Sequence, residues 1–260
     1  MKPFRSLFIA FSMYSAIPMP QVDWDREGMA LPLCWFPFIG IPIGLALWGW
    51  HLLCQWLVLG RLLTAAGFTL LPVVITGGIH LDGFCDACDA LASRQSPEKK
   101  LEIMKDPRTG AFGVMGVTGY LLLTCGVWDS FLFWWEGRSF GAVCLGFVLS
   151  RALSGLAVAT FPLAKQSGLV YTFAAAAHKK TVALINGLLA VLAAGGMLVL
   201  APIPGLLGLL GASLVLLRYS LVCRGLGGTT GDLAGYFLEL CELAVLLGVT
   251  LGTALEGGLG

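Results

Sequence analysis

From Leu188 to Leu200 this chain runs without one charged or strongly polar side chain, and comparable apolar runs recur along most of its length. Such runs lack the polar alternation of a barrel strand and approach the ~20 residues that a helix needs to cross a bilayer. No water is available in the hydrocarbon layer, so backbone N–H and C=O groups must be satisfied within their own segment. The expected fold is therefore all-α, a polytopic integral membrane helical bundle. Composition closes off the soluble alternative: 57% of the residues are hydrophobic and 12% charged, with a mean hydropathy of +0.86, against about 25% charged in a soluble domain. Lys and Arg total 16 and Asp and Glu 15, a balance that marks neither a nucleic-acid binder nor an acidic tail.

The hydropathy pattern predicts seven spans, roughly 31–58, 62–80, 111–135, 140–162, 181–200, 205–222 and 233–255, separated by polar stretches at 82–110, 163–180 and 223–232. The alternation of spans puts those three stretches on one side. They carry Arg94, Lys99, Lys100, Lys105, Arg108, Lys165, Lys179, Lys180 and Arg224, with Arg218 near the end of its span and Lys2, Arg5 and Arg26 from the N-terminal segment. Arg61 and Arg138 are left on the other side and Arg151 inside a span. Basic residues concentrate on the cytoplasmic side of membrane proteins, so the N-terminus and the polar clusters are expected in the cytoplasm. The segment 2–17 imitates a signal peptide, but Pro18 and Pro20 break it, and an interfacial or re-entrant helix is expected instead. The eight cysteines lie mostly in apolar stretches, where cysteine acts as a small hydrophobe, and are read as reduced. No internal repeat is visible, and one transmembrane domain, 1–260, accounts for the whole chain.

Chemistry concentrates in three places. In Gly77-Gly78-Ile79-His80-Leu81-Asp82-Gly83-Phe84-Cys85-Asp86-Ala87-Cys88-Asp89, the acids Asp82, Asp86 and Asp89 stand at i, i+4 and i+7, one face of a helix. Like charges so close call for a cation, and Mg²⁺ prefers hard oxygen ligands from carboxylates completed by water and phosphate. The plainer reading is a solvated acidic face. His80 is a candidate substrate contact, against that of a structural histidine. Cys85 and Cys88 show zinc-like spacing without a second pair, so they are read as packing residues. In Glu102-Ile103-Met104-Lys105-Asp106-Pro107-Arg108-Thr109-Gly110, Pro107 and Gly110 break the helix and leave Lys105 and Arg108 just before a span, a place suited to anions or to ordinary snorkelling at the membrane face. In Gly227-Gly228-Thr229-Thr230-Gly231-Asp232, a Gly-rich turn opens a span on which Asp232, Glu239 and Glu242 fall near one face. Asp232 has an N-cap as its plainer role. Arg151, deep in its span, is a functional candidate because a charge there is costly unless paired or wet.

These motifs, in this order and over nearly the whole chain, resemble the cobalamin synthase family, the membrane-bound adenosylcobinamide-GDP ribazoletransferases. The likeness includes Ile17-Pro18-Met19-Pro20, Phe36-Pro37-Phe38-Ile39-Gly40, the Gly77–Gly83 stretch with Asp86 and Asp89, Ser150-Arg151, and the Gly227–Asp232 turn with Glu239 and Glu242. Two departures are visible. Lys165-Gln166-Ser167-Gly168-Leu169-Val170 stands where the family often has an Arg-Glu-Glu-Gly-Leu-Gly-like loop, and Pro107 replaces a serine between Asp106 and Arg108.

The resemblance implies a Mg²⁺-dependent transfer at the cytoplasmic (inner) membrane of a bacterium or archaeon. In it a ribose hydroxyl of α-ribazole, or of its 5′-phosphate, attacks adenosylcobinamide-GDP and GMP leaves. It implies metal held by Asp82, Asp86 and Asp89 with Asp232, Glu239 and Glu242. The catalytic set is Asp82, Asp86, Asp89, Lys105 and Asp232; substrate contacts come from His80, Lys105, Asp106, Arg108, Arg151 and Thr230. Membrane lipid and a homo-oligomer are compatible partners, nucleic acid is not. Two other readings compete: a CDP-alcohol phosphatidyltransferase-like lipid synthase, whose Asp-Gly-x-x-Ala-Arg pattern fails at Asp86-Ala87, and a cation transporter, which would favour inverted repeats and midplane acids.

Overall fold

The computed structural model describes residues 2–25, 27–164, 172 and 175–258. Arg26 and Lys165, counted above among the cytoplasmic basic residues, lie outside the described residues, as does the whole of the 165–170 segment. The helices are α1 (Lys2–Tyr14), α2 (Pro32–Trp35), α3 (Gly40–Trp56), α4 (Arg61–Thr76), α5 (Ile79–Ala92), α6 (Pro97–Ile103), α7 (Ala111–Phe133), α8 (Gly137–Thr160), α9 (Lys179–Leu200), α10 (Pro202–Gly225) and α11 (Gly231–Gly258). Pro32, at the first position of α2, needs no N–H partner there. The Pro37-containing turn Phe36–Ile39 tightens to a 3₁₀ helix before α3, and the run Pro32–Trp56 together is long enough to cross a membrane.

Among the described residues six helical segments have the length and hydropathy of a span, or seven, the number predicted, with α4 and α5 counted as one span bent by 97°. The bend falls at Gly77 and Gly78, whose φ angles of 64° and 75° lie in the left-handed region that glycine alone enters freely. Gly77 and Gly78 donate their N–H groups back to Val74 and Val73 (3.2 and 2.9 Å), closing α4. The polar stretch expected as a loop over 82–110 is largely helical, because α5 packs one face on α11 and another on α7, and α6 follows with Ser96 as its N-cap.

Helices α8 and α11 form the middle of the bundle: 72% and 56% of their apolar windows are buried, against 28% and 22% for α9 and α10. The outer helices present Leu184, Val191, Val199, Leu214 and Leu217 outward, a surface suited to lipid. At one end an aromatic cluster of Phe68, Trp128, Phe131 and Phe140 closes the core. At the other end meet the 77–78 elbow, the start of α7, the end of α8 and the turn before α11. There the strand-like segment at Leu163 pairs with Thr229, Thr229 N–H donating to Pro162 O at 2.8 Å and Ala164 N–H to Thr229 O at 3.0 Å. Helix α1 is tied to the same end by Ala16 N–H donating to Ile75 O at 2.7 Å. All eight cysteines are free.

Candidate functional site

A cavity of about 430 Å³ opens at this end. Helix α5 brings His80 and Asp82 to it, the α6–α7 connection Lys105, and the start of α11 Thr230, Gly231 and Asp232. What lets Asp82 and Asp232 share one cavity is a close helix crossing. A Cβ on Gly83 would lie 2.9 Å from Asp232 Cα, and one on Gly235 would lie 2.7 Å from His80 O. Only glycine fits where the backbones approach so closely.

Thr230 is the N-cap of α11: Leu233 N–H donates to its Oγ1 at 3.1 Å, and its hydroxyl reaches Asp232 Oδ2 at 3.5 Å. The capping role open to Asp232 therefore falls to Thr230, and the Asp232 carboxylate lines the cavity. Backbone N–H groups at a helix start attract anions, so Lys105 and the head of α11 form an anion-favouring wall beside two carboxylates.

The remaining expected residues are placed differently. Both oxygens of Asp89 are taken by the start of α7, Gly110 N–H donating to Oδ2 at 2.7 Å and Gly113 N–H to Oδ1 at 2.8 Å. Asp86, partly buried on α5, is not among the cavity-lining residues. Arg108 is largely exposed and forms a two-pronged pair with Asp106, Nε to Oδ1 at 2.9 Å and Nη2 to Oδ2 at 2.7 Å. Those side-chain bonds, with one from the Arg108 backbone, hold the Asp106 carboxyl at about 2. Neither residue lines the cavity.

Glu239 and Glu242 line a separate small cavity deeper in the bundle, with Phe68, Tyr120, Thr124 and Trp128. The reason is helix rise: at 1.5 Å per residue they lie about 10 and 15 Å further along the axis than Asp232, although near the same face. Arg151, fully buried, pairs with Glu242. Its Nη1 donates to Glu242 Oε1 at 2.6 Å and to Phe147 O at 2.9 Å, and Ser150 Oγ donates to the same carboxylate oxygen at 3.2 Å. The arrangement expected to hold metal and phosphate is here an ion pair joining α8 to α11. Among the described residues no three His, Cys, Asp or Glu side chains stand together as a metal cluster. The pair Asp82 and Asp232 still suits Mg²⁺, which commonly takes one or two carboxylates and completes its shell from water and substrate phosphate.

Residues not singled out in the sequence also line the cavity: Met13 and Tyr14 at the end of α1, Phe36, Met104, and Ser154-Gly155 on α8. The small pair Ser154-Gly155, one turn past Arg151 in an apolar helix, was the available signal.

Residues 6–250 match the family described as Cobalamin-5-phosphate synthase. The chain is 45% identical over 252 residues to an adenosylcobinamide-GDP ribazoletransferase of Lachnoclostridium phytofermentans, covering 96% of this chain and 95% of the relative. It is 36% identical to those of Desulfitobacterium hafniense, over 95% of this chain and 97% of the relative, and of Pseudomonas putida, over 94% and 98%. No solved structure matches.

Proposed function

Because this chain belongs to the cobalamin-5-phosphate synthase family, we propose that its acid-lined cavity is where adenosylcobinamide-GDP is joined to α-ribazole or its 5′-phosphate. The chain is an adenosylcobinamide-GDP ribazoletransferase of cobalamin synthesis. In the reaction a ribose hydroxyl forms a new P–O bond to the cobinamide-side phosphorus, the P–O bond to GMP breaks, and adenosylcobalamin or its 5′-phosphate results. The observation that carries the assignment of the site is the meeting of Asp82 and Asp232, 150 positions apart, in one cavity beside Lys105 and the head of α11.

Phosphoryl transfer asks a protein mainly to position two substrates and to neutralise charge. Asp82 and Asp232 would hold Mg²⁺, which when bound neutralises the diphosphate. Lys105 offers a point charge to the phosphates, and the N–H groups at the start of α11 offer donors. Asp82 or Asp232 accepts the proton of the attacking hydroxyl, and the leaving GMP phosphate keeps the electron pair of the broken bond. The predominance of basic residues at this end of the bundle supports a cytoplasmic orientation, in the inner membrane of a bacterium. The CDP-alcohol transferase and transporter readings gain no observation of their own.

The test is GMP release by the purified protein in proteoliposomes. Release should require both substrates and Mg²⁺, and Asp82→Asn and Asp232→Asn should each lower kcat/KM by ~100-fold or more with an unchanged melting profile. Full activity in Asp232→Asn, or GMP release without the riboside, would remove the cavity from the reaction.

A further inference from the structure

We propose that the aromatic part of this cavity seats the base of the riboside, and that His80 donates the single hydrogen bond that a benzimidazole-type base accepts there. The proposal rests on the transferase reading of the cavity. Three rings cluster in the lining: Tyr14 and Phe36 with centroids 4.5 Å apart, Phe36 and His80 at 5.5 Å, and Tyr14 and His80 nearly parallel at 6.2 Å. His80 is only 6% exposed, and its Nε2 has no hydrogen-bond partner among the described residues. A buried polar atom left without a partner is unfavourable unless something absent from the free protein meets it. His80 lines the cavity, and although its Nε2 is covered in the free protein, the base is assigned to reach it from the cavity side. The backbone at His80 is held against Gly235 of α11, which fixes where the ring stands.

Met13, Leu33, Ile79 and Val158 add to the apolar lining. Such surroundings suit a flat fused base whose edge is carbon except for one lone-pair nitrogen. In a benzimidazole riboside, one ring nitrogen carries the ribose and the other is that acceptor. Guanine, the other base among the substrates, presents three acceptors and two donor groups, which one histidine would leave mostly unpaired. Asp82 lines the same cavity, so the ribose of a base held there shares it with the acids.

The experiment crosses a protein change with a substrate change. Steady-state kinetics are measured for the full-length protein and His80→Phe, using α-ribazole 5′-phosphate and the indole riboside phosphate, in which C–H replaces the acceptor nitrogen. The normal riboside should lose about tenfold in kcat/KM through KM on His80→Phe, with KM for adenosylcobinamide-GDP unchanged. The unaltered protein should lose the same factor on the indole analogue, and His80→Phe should no longer distinguish the two. His80→Gln, which keeps an N–H donor, should recover much of the discrimination. Equal losses on both ribosides, or a KM change confined to adenosylcobinamide-GDP, would overturn the assignment. Should His80→Phe not fold, Met13→Trp fills the same part of the cavity from α1. It should raise KM for the riboside alone, and a rise for adenosylcobinamide-GDP alone would overturn the assignment equally. No GMP release by the unaltered protein with both natural substrates would instead refute the transferase reading, and this proposal with it.

Discussion

Two aspartates seven positions apart on α5 experience opposite surroundings. Asp82 is exposed to the cavity, whereas Asp89 accepts two backbone N–H bonds at the start of α7. Charge-assisted bonds of this kind, partly buried at the positive end of a 23-residue helix, stabilise by about 2–3 kcal/mol. Asp89→Ala should therefore lower the thermal midpoint in detergent while the surviving activity keeps its Mg²⁺ dependence. Asp82→Asn should do the reverse, leaving the midpoint and losing the activity; thermal scans with parallel Mg²⁺ titrations separate the two. The i, i+4, i+7 spacing was legible as one helix face. Which acid on that face meets a cavity and which meets a neighbouring helix end depends on packing across 21 or 24 residues, and no local pattern encodes it.

Between elements, a buried ion pair ties Arg151 on α8 to Glu242 on α11. Removing one partner leaves an uncompensated charge inside the bundle, at a cost of about 3–5 kcal/mol. Glu242→Gln should accordingly be severely destabilised, whereas Arg151→Met combined with Glu242→Leu should lose far less than the sum of the single changes. Thermal unfolding of the four proteins in one detergent measures this cycle, and additive losses would mean that the two residues stabilise the bundle independently. In the sequence, Arg151 stood out as a charge needing a reason, and the reason lay 91 residues away. The elbow was not legible. Hydropathy carried the span through Gly77-Gly78 to residue 80 and the polar residues after it suggested a loop, because the surfaces of α11 and α7 that receive α5 are absent from a local reading.

At the scale of the whole molecule, antiparallel neighbours put the ends of every other span together, so the cavity is assembled from segments far apart in the chain. Helix α7 alone separates the two faces by about 35 Å. Cysteines introduced at Glu98 and Arg138, both exposed and near its opposite ends, in a protein otherwise cleared of accessible thiols, should react from the cytoplasm and from outside respectively. Maleimide labelling of intact cells against inverted vesicles reads this, and the opposite pattern would invert the proposed orientation. The number of spans was legible because hydropathy and length suffice for it; the depth of each acid was not, because helix rise matters only once the helices are docked. The size of the cavity has a consequence of its own. About 430 Å³ is room for a nucleoside and its phosphates, not for a corrin macrocycle with its fringe of amides. A corrinoid substrate is therefore expected to reach Asp82 and Asp232 with its diphosphate alone, its macrocycle remaining outside the chamber.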